Sequence, residues 1–198
     1  MSLEAIRARR SIRRFRPDAV PRELIDQVLE AARLAPSGKN QQPWRFAVYG
    51  GEAKRALLEA MARGLERELR GQALLPGSRA GLADAANTLR IMRKAPVTIL
   101  ALDACGDDPF AKSEGGLRVA DLVNTLSMGA AIENLLLAAQ ELGLGALWIA
   151  NTFFAYPELC ACLDGPFRLA SAVALGYAGE APQARPRKPL AEIVSYHL

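Results

Sequence analysis

Apolar residues recur every three to four positions in several stretches of the chain, a spacing typical of helices that bury one face. In the clearest stretch Pro21 takes the first helical position, and Pro36 and Gly38 follow the end. In the first stretch Ser2 is the expected N-cap, with Leu3 and Ile6 on one face. The pattern predicts helices over residues 2–10, 21–34, 52–70, 81–94, 117–142 and 157–163.

Shorter apolar runs bounded by glycine, proline or polar residues predict strands. These runs cover residues 44–49, 97–102, 145–150 and 169–177. The run 97–102 has no polar alternation except Thr98, which indicates a strand buried on both faces near the centre of a sheet. Gly143 is the expected C-cap of the long helix 117–142, which we expect to be the core helix.

Helices alternate with strands, so the chain is expected to form an α+β fold, an α/β/α sandwich with a mixed central sheet flanked by helices. One domain is predicted over 1–198, because there are no repeats and no dividing linker. The tail 179–198 differs: it is rich in proline and basic residues up to Pro189, and 190–196 then looks like a strand. With little nearby to bury against, this tail is predicted to pack on a partner subunit.

Composition is that of a globular protein: 198 residues, 51% of them apolar and 23% charged. The start of the chain carries arginines and Glu4 where a secretory signal needs an apolar stretch, so we expect a cytoplasmic protein. The longest apolar region, 126–150, is interrupted by Glu133, Asn134, Gln140 and Glu141. Such residues are costly in a membrane, so a buried helix followed by a strand is expected there.

Few residues are suited to proton transfer or metal binding. The only histidine is His197, next to the end of the chain, which excludes most triad and histidine-rich metal chemistry. Cys105, Cys160 and Cys162 are odd in number and lack zinc or redox spacing, so we interpret them as free thiols. If the protein is an enzyme, an organic cofactor is then the expected carrier of the chemistry.

The charge of +4 is mild, but the basic residues are clustered. One cluster comprises Arg7, Arg9, Arg10, Arg13, Arg14 and Arg16, and a second comprises Arg185, Arg187 and Lys188. Guanidinium groups with the Ser11 hydroxyl suit a phosphate monoester. Taken alone, the first cluster is more typical of a solvated helix end. A nucleic-acid-binding arm is a remote alternative, because only Phe15 nearby supplies the aromatic contact that single-strand binders use.

The segment 35–44, with sequence APSGKNQQPW, combines a flexible backbone with side-chain amides that donate and accept hydrogen bonds. A flat heteroaromatic ring such as isoalloxazine needs such partners, as do adenine and a peptide backbone.

The pattern RRSIRRF followed by APSGKNQQPWRF resembles the FMN-dependent nitroreductase family, and the similarity extends over nearly the whole chain. Asn87-Thr-Leu-Arg90 before the strand at Val97, GLGALWI from Gly143 and Arg185-Pro-Arg187 follow the family's order. The resemblance implies a phosphate site formed by Arg9, Arg10, Ser11 and Arg13 with Arg185 and Arg187. It also implies a domain-swapped homodimer, with the C-terminal strand exchanged and FMN at the subunit interface. Pro36, Ser37, Gly38 and Asn40 would then reach a flavin bound mainly by the other subunit.

Asn87 and Arg90 lie one helical turn apart, so both can face the flavin's pyrimidine edge, where Arg90 would tune the cofactor electronically. In isolation the pair could be an exposed helix face. The resemblance places Trp148 against one flavin face, although a core tryptophan has the same pattern. In relatives, the backbone that follows the position of Trp148 and Ile149 donates N–H groups to the flavin, often from a glutamate or a glycine. The corresponding residues here are Ala150 and Asn151.

The resemblance implies an FMN-dependent oxidoreductase that uses NAD(P)H to reduce nitroaromatic, quinone or similar electron-poor acceptors by ping-pong hydride transfer. The chain lacks the G-x-G-x-x-G dinucleotide fingerprint, so the nicotinamide is expected to bind transiently over the flavin. Alternatives on the same fold are flavin fragmentation, dehalogenation, a deazaflavin-linked reaction and flavin binding without turnover. The acceptor pocket is expected to be shaped by residues 76–81 and 103–116, which carry no decisive motif.

Overall fold

The computed structural model describes residues 3–74, 77–106, 109–110 and 119–198. The predicted Ser2 cap, residues 117 and 118 at the start of the long helix and most of the loop 105–116 lie outside this part of the chain. So does Pro76, at the start of the first predicted pocket loop.

Within the described ranges, four strands form one sheet: β1 (Trp44–Tyr49), β2 (Val97–Asp103), β3 (Gly145–Ile149) and β4 (Arg168–Gly176). Their order is β1-β2-β4-β3, and every neighbouring pair is antiparallel. A mixed sheet was expected, but in the described residues parallel pairing is limited to an isolated bridge between Ser11 and Ala146. Two α-helices lie between β1 and β2, so the chain reverses at each connection and these strands pair antiparallel. One long helix joins β2 to β3, which makes them parallel, but β4 lies between them.

Six helices accompany the sheet within the described residues. Each predicted helix is present, with bounds that differ by up to three residues. The helices are α1 (Leu3–Ala8), α2 (Arg22–Arg33), α3 (Gly51–Leu69), α4 (Leu82–Lys94), α5 (Val119–Glu141) and α6 (Tyr156–Cys160). Short 3-10 turns at Gly38–Asn40, Ser78–Gly81 and Asn151–Ala155 were not predicted.

The core has one layer on each face of the sheet, as an α/β/α sandwich requires. Leu100 and Leu102 of β2 pack with α3 and α4, whereas Ile99 and Ala101 of the same strand pack with α2 and α5. All seven residues of β2 are buried, and the strand lies between β1 and β4. The predicted α+β class and the central position of this strand are confirmed.

Helix α5 is the one described helix that is long and apolar enough to cross a membrane by length and composition. Its Ile132 and Leu135 are buried between α2 and the sheet, as expected of a core helix. Gly143 ends it at a φ of 72°, and the Leu144 N–H donates to the Ala139 carbonyl at 2.8 Å. This is the predicted glycine cap, because the left-handed conformation costs glycine little.

The two ends of the chain differ from the predictions. Residues 190–196 were expected to be a strand, but the structure has a 3-10 turn at Leu190–Glu192 and no regular element after it. A strand exists only when another strand edge pairs with it, and within the described part of this chain no edge pairs with residues 190–196. Leu3 and Ile6 of α1 are exposed, so the apolar face of this helix is not covered within the chain.

Candidate functional site

The N-terminal basic segment lies beside the edge strand β3. The Ile12 N–H donates to the Ala146 carbonyl at 3.0 Å, and Ile12 itself is buried. Gly145 is needed for this approach, since a Cβ there would lie 2.9 Å from the Ile12 side chain. Because side chains alternate along extended backbone, inward Ile12 leaves Ser11 and Arg13 on the outer side.

The C-terminal segment runs alongside the same stretch of chain. Phe15 and Ala178 form an antiparallel bridge. The Arg16 N–H donates to the Tyr177 carbonyl at 2.9 Å, and the Gly179 N–H to the Arg14 carbonyl at 2.8 Å. This pairing carries the tail from the end of β4 back to the N-terminal segment.

Together the two segments surround a cavity of about 330 Å³. Six arginines line it: Arg7, Arg9, Arg10, Arg13, Arg185 and Arg187. Ser11 also contributes, and none of the described residues that line the cavity is acidic. The structure therefore brings members of both predicted basic clusters, from opposite ends of the chain, around a single volume, whereas Arg14, Arg16 and Lys188 do not line it.

The guanidinium groups of this arginine pocket mostly donate to nearby backbone carbonyls. Arg10 Nη1 contacts the Arg7 carbonyl at 2.6 Å, and Arg13 Nη1 contacts the Ser11 carbonyl at 3.2 Å. Arg9 differs, since its Nε lies 3.5 Å from a carboxylate oxygen of Glu133 on α5. Such a concentration of like charge attracts anions, and the planar forks suit a phosphate oxygen pair.

At the other end of β3 the strand meets helix α4. Asn151 Nδ2 donates to Asp84 Oδ2 at 2.8 Å and to Thr88 Oγ1 at 3.0 Å. Both acceptors belong to α4, and neither was identified from the sequence. Asp84 lies one turn before Asn87, but only the tertiary contact with Asn151 relates it to the site.

Helix α4 also carries Asn87 and Arg90, and Arg90 Nη2 donates to Asn87 Oδ1 at 3.2 Å. Arg90 is exposed. Because Asn151 binds Thr88 and Asp84, the end of β3 is held against the helix that bears this pair. Ala150 is exposed at the same end.

Trp148 lies on β3 between the arginine pocket and α4. It is 44% exposed, and its Nε1 donates to Ser171 Oγ of β4 at 2.9 Å, which fixes the ring orientation. A core tryptophan was the alternative, but this side chain presents much of its surface to solvent. From Ala146 beside Ser11 to Ala150 is four residues, a span of about 13 Å along a strand.

The loop 35–44 lies against α5 and does not contribute to the arginine pocket of its own chain. The Gly38 N–H donates to Ser127 Oγ at 3.3 Å, and a Cβ on Gly38 would lie 2.3 Å from Val123 Cγ1. Ser37 Oγ accepts from the Gln42 N–H. Thus Pro36, Ser37, Gly38 and Asn40 are not brought together with the arginines within one chain.

The same loop holds three residues other than glycine in left-handed conformation: Lys39, Asn40 and Gln42, with φ of 52°, 56° and 48°. Such backbone costs of order 1 kcal/mol or more per residue and clusters at binding sites. Gln42 and Lys39 carried no signal of this in the sequence.

None of the three cysteines forms a disulfide bond in the structure. No group of three or more histidine, cysteine, aspartate or glutamate side chains in the described chain is placed to hold a metal ion.

Comparison with known proteins gives consistent results. The sequence model described as "Nitroreductase family" matches residues 6–177. A protein of Methanothermobacter thermautotrophicus, provisionally named NADH dehydrogenase/NAD(P)H nitroreductase, is 32% identical over 92% of this chain and 80% of its own.

Among solved structures, a provisionally named nitroreductase from Desulfovibrio desulfuricans in complex with FMN is 30% identical, with a TM-score of 0.68, covering 99% of this chain and 96% of that one. A BluB-like flavoprotein from Clostridium difficile is 26% identical, with a TM-score of 0.74 and full coverage of both chains.

Proposed function

The chain belongs to the nitroreductase family, and from this we propose that it is an FMN-dependent oxidoreductase that takes electrons from NAD(P)H. We further propose that its acceptors are nitroaromatics, quinones or similar electron-poor compounds, reduced in ping-pong turnover. The observation that carries the proposal is the arginine pocket, in which the two ends of the chain surround one volume with cationic side chains.

The residues present fit the phosphate of FMN. A phosphate monoester is dianionic near neutral pH, and the arginine pocket offers guanidinium forks and a hydroxyl without a competing acid among its described lining residues. Arg9, Arg10, Ser11, Arg13, Arg185 and Arg187 would hold the phosphate. When bound, FMN supplies the redox chemistry, taking a hydride from NAD(P)H and delivering it to the acceptor.

The remaining candidate residues would orient the ring. Trp148 presents a flat, partly exposed surface whose orientation is fixed by Ser171. Asn87 and Arg90 supply an amide and a positive charge from α4, and the backbone of Ala150 and Asn151 supplies N–H donors. The Asn151 side chain is held by Asp84 and Thr88, which positions this backbone against α4.

We propose a homodimer in which the tail packs on the partner. Within the described chain β1 pairs only with β2, so its outer edge is free, whereas β3 has the segment at Ser11 and Ile12 along its edge. A groove of about 340 Å³, lined by residues of α2 and by Trp44, Arg45 and Phe46, runs along the free edge.

The exposed apolar residues support this assembly. Ile193, Tyr196 and Leu198 of the tail are exposed, as expected of side chains that are covered by another subunit. Further exposed apolar residues lie on α1 and α5: Leu3, Ile6, Val119, Leu122 and Leu126. In such a dimer the loop with Pro36, Ser37, Gly38 and Asn40 would complete the partner's flavin site.

An absorbance spectrum of the purified protein tests the function. We expect a yellow protein whose visible flavin band is bleached anaerobically by NADH or NADPH. Colourless protein that cannot be loaded with FMN would contradict the proposal. Bound flavin that neither nicotinamide reduces would favour flavin storage or a specialised flavin reaction.

Replacement of Arg90 by methionine is expected to make the flavin harder to reduce. A partly exposed charge contributes about 1 kcal/mol, which corresponds to about 20 mV for two electrons and at most a fivefold slower reduction by NAD(P)H. Midpoint potentials and anaerobic stopped-flow traces measure both. Arg90→Lys keeps the positive charge, so its midpoint potential should stay close to that of the wild type. Arg93→Met on the same helix is the matched control. A midpoint potential unchanged in Arg90→Met would show that Arg90 does not tune the cofactor.

A further inference from the structure

The Glu180 side chain links the C-terminal tail to the N-terminal segment beside the arginine pocket, without lining the pocket itself. Its Oε1 accepts hydrogen bonds from the Arg13 N–H at 2.6 Å and the Arg14 N–H at 3.1 Å, and its Oε2 accepts from Arg14 Nε at 3.1 Å. Glu180 and Arg13 are 167 positions apart in the sequence. The Glu180 side chain is 15% exposed, so this carboxylate is largely withdrawn from solvent.

Beyond Glu180 the tail has few internal restraints. Residues 181–188 form no backbone–backbone hydrogen bond with another described residue, and the Arg187 side chain donates only to the nearby carbonyls of Arg185 and Pro186. Most of these residues are exposed. Arg185 and Arg187 belong to this stretch. The position of these two arginines relative to Arg13 therefore depends on the last residue before this stretch that is hydrogen-bonded to the N-terminal segment. That residue is Glu180.

We infer that Glu180 is a positioning residue of the phosphate site, which holds the Arg13 backbone and the C-terminal arginines at the spacing that one phosphate requires. The inference rests on the proposed binding of FMN in the arginine pocket. Neither the family comparison nor the sequence patterns pointed to this carboxylate, because it lies outside both basic clusters.

Glu180 could act on a phosphate in two opposite ways. As a negative charge it lowers the local positive potential, which disfavours an anion, whereas as an anchor it orders the arginines, which favours one. The first effect is small, because Arg14 lies against the same carboxylate. The second involves three charge-assisted hydrogen bonds, so we expect it to dominate.

The carboxylate is in its charged form over the pH range of an assay. Burial alone would raise the pKa of Glu180, but the hydrogen bonds from the Arg13 and Arg14 backbone and the Arg14 guanidinium outweigh it, and the pKa lies below its ordinary value. The anchor is then present above the ordinary carboxylate pKa and is lost only as the pH falls through the lowered one.

Three variants test the inference, with FMN and riboflavin as probes: Glu180→Ala, Glu180→Gln and the matched surface control Glu59→Ala. Riboflavin lacks the phosphate, so its affinity measures the binding of the flavin ring and ribityl chain without the contribution of the arginine pocket. We expect Glu180→Ala to weaken FMN about 10- to 30-fold and riboflavin less than about twofold. Glu180→Gln should weaken FMN about three- to fivefold, since its amide oxygen can still accept the Arg13 and Arg14 N–H groups but the charge and the bond from Arg14 Nε are lost.

A double-mutant cycle separates positioning from general destabilisation. In the background Arg185→Ala/Arg187→Ala, where no tail arginine remains to be positioned, Glu180→Ala should lose most of its effect on FMN. Tighter FMN binding by Glu180→Gln would show that charge dominates, and equal losses for FMN and riboflavin would indicate a merely structural role. Either result overturns the inference. Wild-type protein that binds no FMN would contradict the proposed function itself.

Discussion

Replacing Arg13 and Arg187 together by alanine is expected to weaken FMN binding by at least about a hundredfold. Each guanidinium would make charge-assisted hydrogen bonds to the phosphate, worth about 1.5 to 3 kcal/mol apiece, and a loss of 1.4 kcal/mol is about tenfold in affinity. The two residues line the same cavity from opposite ends of the chain. Titration of apoprotein with FMN, followed by flavin fluorescence, measures the change.

Three controls sharpen this experiment. Riboflavin affinity should change little, because that ligand has no phosphate to contact. Arg63→Ala removes an exposed arginine of α3 and should leave FMN binding as it is. Arg187→Lys keeps the charge but not the planar fork, so its FMN affinity should lie between those of the wild type and Arg187→Ala. An unchanged FMN affinity in the double variant would show that the phosphate does not bind in the arginine pocket.

Strong local patterns explain why most elements could be predicted. The run 44–49 is bounded by Pro43 and Gly50, and the structure has β1 over the same residues. The run 97–102 has no polar residue except Thr98, because β2 packs against helices on both sides. Its short length, the preceding Pro96 and its β-branched residues distinguish this run from a buried helix.

Other features depend on partners that are distant in the sequence. The antiparallel order of the sheet follows from how helices return the chain, which no local pattern encodes. The hydrogen bonds of Asn151 to Asp84 and Thr88 and the anchor at Glu180 join segments far apart. Single polar residues in such positions look like ordinary surface residues until the chain is folded.

The candidate site could be predicted only when distant segments of the sequence were considered together. Each basic cluster alone was compatible with a solvated surface, and the resemblance to a family was needed to join them. The structure supplies the physical link, because the pairing of Phe15 with Ala178 carries the tail to the N-terminal segment. The two clusters then line one cavity.

Truncation of the chain after Pro189 is expected to convert the protein from a dimer to a monomer and to abolish tight FMN binding. Residues 190–198 include four exposed apolar side chains, and burial of each against a partner would contribute about 1.5 to 3 kcal/mol. Pairing with the free edge of β1 would add main-chain hydrogen bonds. Light scattering with size exclusion measures the mass, and flavin retention measures the site.

The matched control changes only the exposed polar residues Ser195 and His197 to alanine, which keeps all four apolar side chains of the tail and should preserve the dimer. A second variant, Ile193→Asp, keeps the backbone but places a charge where an apolar contact is expected, so it should also weaken the dimer. A dimer that survives truncation after Pro189 would contradict exchange of the tail. A monomer that still binds FMN tightly would show that Pro36, Ser37, Gly38 and Asn40 of the partner subunit are not needed to complete the site, because the arginine pocket itself lies within one chain.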